Sequence, residues 1–236
     1  MVALVNGENA LEAWQAGALH LAGVGEAFNL VSVIERPTEL VDDWFKLHDP
    51  RRIKGNVQRL SEVATTIFPF KLARRGYSRG DLFGRYMDVH NRAKKMHDGT
   101  KRSWGTYFER MISFGETKVN QIELAIGSIR SWTKNHKAAL VIHTSSAETD
   151  SIKKLLGNPC LQYVELLCPD ANTITLFAVY RNHDFFEKVL DNFIGLGQLL
   201  KFICDETGRN PGQLVCHSAH AYFQSSKAQL EQLAKL

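Results

Sequence analysis

Alternation of apolar and polar positions is clearest from Asn29 to Arg36, where Val and Ile dominate, and it predicts a strand that stops before Pro37. Leu11, Trp14, Leu19 and Leu21 upstream predict a helix over 8–23. Thr38, with Glu39 after it, caps a short helix to Lys46. Val57, Leu60 and Val63 recur at helical spacing over Asn56 to Thr66, and Pro69 ends that pattern. A helix around 80–96 reads as exposed, whereas Lys118 to Trp132 is amphipathic through Ile122, Leu124, Ile126 and Ile129. Ala138 to His143 is a compact apolar strand, Thr144 to Asp150 a polar loop, and Ser151 to Leu156 a short helix stopped by Gly157.

The last third is patterned most strongly. Leu161 to Leu167 and Thr173 to Tyr180 read as two strands joined by a hairpin-type turn at Pro169-Asp-Ala-Asn172. Asp184 to Cys204 carries Phe185, Val189, Phe193, Leu196, Leu199, Leu200 and Ile203, apolar enough for a buried central helix. Gln213 to His217 is a last core strand, and Ala228 to Lys235 a terminal helix. The expectation is one α/β (α+β) domain over 1–236, with a mostly antiparallel mixed sheet packed against a long buried helix.

Composition narrows this little. At 236 residues, 44% apolar and 23% charged, the chain can bury a real core. No apolar run approaches a membrane span, and Met1 to Ala10 has no basic segment of a secretory signal, so a cytoplasmic protein is expected. The net charge of +4 suits an anionic metabolite but does not by itself argue for nucleic acid. Residues 71–102 are rich in Lys and Arg with Tyr77, Phe83 and Tyr86 interleaved, which admits a nucleic-acid patch; Asp81, Asp88 and Asp98 interrupt it and favour a solvated helix face.

The chain has four cysteines and no CxxC pair, so neither a zinc site nor a redox dithiol is indicated. Cys168, Cys204 and Cys216 lie in apolar company, as does His217, and read as core residues; Cys160 instead follows Asn158-Pro159, a loop signal. Tyr180-Arg-Asn-His-Asp184 closes one strand, Asn192 sits on the following helix, and His220-Ala-Tyr222 closes a later strand. A thiol, an arginine, an amide, an imidazole and a phenol at strand ends or on one helix is a layout for binding a polar, phosphorylated substrate.

In that order the second half resembles the thymidylate synthase family, including its pyrimidine nucleotide hydroxymethylase branch. The family shows a Pro-Cys turn, two strands, an Arg-Ser-x-Asp stretch, a long helix with an asparagine and a strand ending in His-x-Tyr. Here these read Pro159-Cys160, Arg181-Asn-His-Asp184, Asn192 and His220-Ala-Tyr222. Upstream, Tyr107-Phe-Glu-Arg110 is similar to the family's Tyr-Gly-x-Arg, and Asn120-Gln121 to its Asp-Gln. Glu62 falls where a helix with the catalytic glutamate is expected, and His136-Lys137 stand where the family has two arginines reaching the partner subunit's phosphate site.

The resemblance implies a homodimer and a one-carbon transfer from 5,10-methylenetetrahydrofolate, or a related reduced pterin, to C5 of a pyrimidine nucleotide. Cys160 would add to C6 as a thiolate, helped by the Arg181 cation, because C5 becomes nucleophilic only in the resulting enolate. Arg181 and Asn182 would hold substrate, with His136 and Lys137 at the phosphate. Asn192 would read the base, favouring uracil, and His220 and Tyr222 would hold the sugar hydroxyl. Glu62 and Tyr107 would move protons, and Asp184 would orient neighbouring groups or approach the folate ring. Reduction would give a methyl product and attack by water a hydroxymethyl one; a pocket that binds nucleotide without turnover, as a sensor or scaffold, is the other alternative.

Overall fold

Among the described residues a seven-stranded sheet carries helices packed on one of its sides. The computed structural model describes residues 2–39, 60–96, 104–132, 139–150 and 157–235. In chain order these are β1 (Ala3–Gly7), α1 (Ala10–Val24), β2 (Ala27–Ile34), α2 (Leu60–Ile67), α3 (Phe70–Ala73), α4 (Arg79–Met96), α5 (Tyr107–Ile112) and α6 (Gln121–Ser131). There follow β3 (Leu140–His143), β4 (Leu161–Leu167), β5 (Thr173–Tyr180), β6 (His183–Asp184), α7 (Val189–Thr207), β7 (Asn210–Tyr222) and α8 (Lys227–Ala234). The helices expected around Thr38 to Lys46 and Ser151 to Leu156 lie wholly or mostly outside the described residues.

The sheet runs β1-β2-β7-β5-β4-β3. It is evenly mixed, which corrects the expectation of a mostly antiparallel sheet: β2–β7, β3–β4 and β4–β5 are antiparallel, whereas β1–β2, β5–β7 and β6–β7 are parallel. The β4–β5 hairpin was visible because its turn is local. The parallel pairings join segments far apart in sequence and leave no local signature.

β5 and β6 continue one line along β7: Tyr180 pairs with Ser218, and His183 and Asp184 pair with Ala221 and Tyr222 in the same register. Arg181 and Asn182 interrupt the strand. The expected helix start at Asp184 therefore moves to Val189, because the Asp184 carboxylate accepts the N–H groups of Phe186 and Glu187 at 3.0 and 3.3 Å and holds a turn there.

Helix α7 is buried on all sides from Val189 to Leu200, between the sheet and α2. Gly195 and Gly197 permit this. A Cβ on Gly197 would lie 1.9 Å from the Pro37 carbonyl oxygen, and one on Gly195 2.8 Å from that of Ala64. Helix α1 reaches the same region from the other end: Trp14 Nε1 donates to the Phe185 carbonyl at 2.6 Å.

Burial alternates along β5, the second half of β2 and the middle of β7. Leu30, Ile34, Leu176, Ala178, Leu214 and Cys216 point into the core, whereas Val31, Val33, Phe177, Val179 and Val215 are half-buried on the opposite side. His217 belongs to that second set. It is not a core histidine: its Nε2 lies 3.1 Å from Asn29 Oδ1 at a half-exposed position. Cys168, Cys204 and Cys216 are buried free thiols.

Candidate active site

The parallel strand ends and the start of α7 converge on one cleft of about 260 Å³. β4 brings Cys160 to its rim, and the β5–β6 break brings Asn182, His183 and Asp184. The turn before α7 adds Glu187 and Lys188, α7 adds Asn192, and β7 adds Tyr222. Val63 and Thr66 on α2, with Trp104, Tyr107 and Gln224, complete the walls.

Cys160 sits on a turn held from two directions. The Tyr107 hydroxyl oxygen accepts the N–H groups of Cys160 and Leu161 at 3.1 and 3.3 Å. These N–H groups need that partner because the β4–β5 register shifts between Leu161 and Tyr163. From the other side Arg181 donates from Nε to the Pro159 carbonyl at 3.1 Å and from Nη2 to the Asn158 carbonyl at 3.4 Å.

The thiol itself is half-buried. Burial pushes the Cys160 thiol above its ordinary range, and the Arg181 charge pulls it back only in part. Burial is the larger of the two influences on this thiol, and the Arg181 charge opposes it. Burial also raises the Cys168, Cys204 and Cys216 thiols, Cys204 to about 12.

Arg181 is not among the residues lining the cleft; Lys188 is the lysine or arginine that does so among the described residues. His220 also stands outside the lining. It reaches the cleft through Asn182, whose Oδ1 is 3.2 Å from His220 Nδ1, while Nε2 lies 2.9 Å from Glu26 and the ring stacks on Tyr222. Glu62 falls on α2 beside the cleft-lining Val63, and its side chain lies outside the described residues, as do His136 and Lys137. The other sequence candidates, Cys160, Tyr107, Asn182, Asp184, Asn192 and Tyr222, come together from segments more than a hundred residues apart.

Asp184 is 7% exposed, and burial raises its carboxyl pKa against the backbone N–H groups that lower it. His183 was not singled out from the sequence, although a histidine inside the strand-end run Arg181-Asn-His-Asp184 was the available signal. Its ring is fully buried and held down to about 3, so it is neutral. Nδ1 lies 2.8 Å from Ser218 Oγ and Nε2 3.0 Å from Asn192 Nδ2. Trp104, Lys188, Glu187 and Gln224 were also missed. Among the described residues no group of three or more His, Cys, Asp or Glu is placed to hold a metal ion, and no helix is long and apolar enough to cross a membrane.

The cleft thus gathers a half-buried thiol influenced by a guanidinium, a buried amide and a buried carboxylate. Comparison with known proteins narrows the class. No family model matches the chain. Two curated archaeal proteins do, each carrying the name "Putative thymidylate synthase": one from Methanococcoides burtonii, 28% identical over 118 residues, and one from Methanosarcina mazei, 28% identical over 119 residues. Each alignment covers 50% of this chain, and the chain spans about half the length of the curated relatives it matches (52% of each). These matches support a divergent thymidylate synthase-like family for this chain.

Proposed function

We infer that the protein transfers a one-carbon unit to C5 of a pyrimidine nucleotide through a covalent Cys160 adduct. One observation carries this reading: Cys160 lines the same cleft as Asn192, Asp184, Tyr107 and Tyr222, with Arg181 close enough to act on the thiol. The names of the two archaeal relatives agree with it.

In this reading Cys160 gives up its proton to water as substrate binds, and its sulfur bonds to C6. The C5=C6 electron pair moves into an enolate, and C5 becomes the nucleophile. Arg181 stabilises the thiolate from its anchor on the Pro159 and Asn158 carbonyls. Asn192 faces the base edge, Asn182 and Tyr222 the sugar and phosphate end, and His220 steadies Asn182. Tyr107, whose hydroxyl is held beside the Cys160 backbone, would assist removal of the C5 proton by relaying it to water. When bound, 5,10-methylenetetrahydrofolate or a related reduced pterin would supply the one-carbon unit. The cleft suits such a ring through the Trp104 indole and the Asp184 carboxylate.

The same reading includes a homodimer. A second copy would cover the sheet side where Val31, Val33, Phe177 and Val179 lie half-buried and Leu4 and Val141 are exposed, apolar surface that a monomer leaves wet.

Tritium release from a 5-tritiated uracil or cytosine nucleotide, with and without reduced folate, tests the chemistry. The expected result is release by the wild type and none by Cys160→Ser; absence of release from every pyrimidine nucleotide removes the reading. One observation favours a second one, nucleotide binding without turnover: desolvation keeps the Cys160 thiol protonated. That alternative requires nucleotide affinity in the wild type with no release.

A further inference from the structure

His183 is the most constrained polar side chain in the cleft wall. Its ring stacks on Tyr180 at 3.9 Å and 6°, and the Phe185 and Phe193 rings meet it edge-on at 5.8 and 6.1 Å. It is 1% exposed, so its two nitrogens have Ser218 Oγ and Asn192 Nδ2 as their partners and no room to turn away.

A neutral imidazole between a hydroxyl and an amide has two self-consistent states. In one, Nδ1–H donates to Ser218 Oγ and the bare Nε2 accepts from the Asn192 amide N–H. In the other, the Ser218 O–H donates to Nδ1, and Nε2–H donates to an Asn192 carbonyl turned the opposite way. Proton position and amide orientation are therefore one variable. The structure has Asn192 Nδ2 on Nε2 at 3.0 Å, which is the first state. One amide N–H is then spent on His183, and Oδ1 and the second N–H remain for the cleft in fixed order.

That order decides between bases. Uracil presents a ring N–H donor beside a carbonyl acceptor, whereas cytosine presents a ring nitrogen acceptor beside an amine donor. An amide free to flip satisfies either; an amide held one way satisfies one and leaves buried polar groups unpaired against the other. Building on the pyrimidine-nucleotide reading above, we propose that His183 and Ser218 are specificity-setting positioning residues. By clamping the Asn192 amide they make the cleft accept uracil and reject cytosine. Because burial holds His183 neutral, protonation does not open the lock at neutral pH.

The test compares dissociation constants for dUMP and dCMP in the wild type, His183→Phe and Ser218→Ala. Phe keeps the ring stack and removes both nitrogens. Ser218→Ala keeps the ring and removes the hydroxyl that pairs with Nδ1, with the smaller change to the fold. The wild type is expected to prefer dUMP, and both variants to lose about tenfold or more of that preference, the size of one lost buried hydrogen bond. ¹⁵N NMR of the wild-type imidazole is expected to report the Nδ1–H tautomer. A folded Ser218→Ala protein with an unchanged preference, or an Nε2–H tautomer in the wild type, overturns the lock and leaves the pyrimidine reading standing. A wild type that binds neither nucleotide overturns the pyrimidine reading itself, and the lock falls with it.

Discussion

His183 Nε2 and Asn192 Nδ2 face each other at 3.0 Å, nitrogen to nitrogen, in a wall of the cleft where neither side chain is more than 5% exposed. One must donate and the other accept, so the histidine is neutral with its proton on the far nitrogen. The contact joins β6 to the buried helix α7.

This contact has an acid-stability consequence. The folded-state pKa of His183 is depressed to about 3 from an ordinary 6.5, so below pH 6.5 the unfolded chain binds a proton that the folded one refuses. Stability present above pH 6.5 should be lost progressively as pH falls toward 3, by up to about 4 kcal/mol from this group. Urea unfolding at pH 7, 6, 5 and 4 measures it. His183→Phe should flatten the wild-type slope; identical slopes would show that another group carries it.

Thiol labelling should be selective. Among the four cysteines Cys160 alone is half-exposed. Iodoacetamide followed by peptide mass spectrometry should find it modified first, at a rate rising with pH through and above the ordinary thiol range. Removing the Arg181 charge in Arg181→Gln removes the influence that lowers the pKa, and labelling at pH 8 should slow. Faster labelling of Cys204 or Cys216 would contradict the burial described.

Tyr107→Phe should cost stability as well as activity. The Leu161 N–H is buried and has the Tyr107 oxygen as its partner at 3.3 Å, and the Cys160 N–H shares it. Leaving them unsatisfied should cost about 1–3 kcal/mol in a urea titration. Hydrogen exchange at residues 160 and 161 should quicken in the variant; unchanged protection there would mean the hydroxyl is not what holds the turn.

Two glycine substitutions should move in opposite directions. Gly197→Ala sets a Cβ 1.9 Å from the Pro37 carbonyl oxygen, so helix α7 must shift, at about 1–3 kcal/mol or more. Gly127→Ala, on α6 with nothing within 4 Å, should stabilise by about 0.5–1 kcal/mol through helix propensity. Thermal melts of both variants against the wild type check the pair.

Much of this was written into local pattern. The β4–β5 hairpin, the buried helix α7, the N-terminal helix α1 and the terminal helix α8 followed from periodicity and turn residues, because each is decided by neighbours within a few positions. Cys160, Asn192 and Asp184 could be named for a similar reason: a thiol after a proline, an amide on an apolar helix and a carboxylate at a strand end stand out from what surrounds them.

Tertiary structure decided the rest. β7 reaches Tyr222 rather than His217 because β6 extends the pairing, and the parallel partners of β1 and β5 are chosen by distant strands. Arg181 could be named as a cation near the thiol, but its anchoring on the Pro159 and Asn158 carbonyls depends on two strand ends meeting. His183 looked ordinary until folding enclosed it between Tyr180, Phe185, Phe193, Ser218 and Asn192. The amino-acid sequence determined which chemical groups were present and which segments were helix or strand. Which nitrogen faces which amide depends on how the strand end packs against helix α7 and β7, and that packing exists only once hydrophobic burial has closed the core around it.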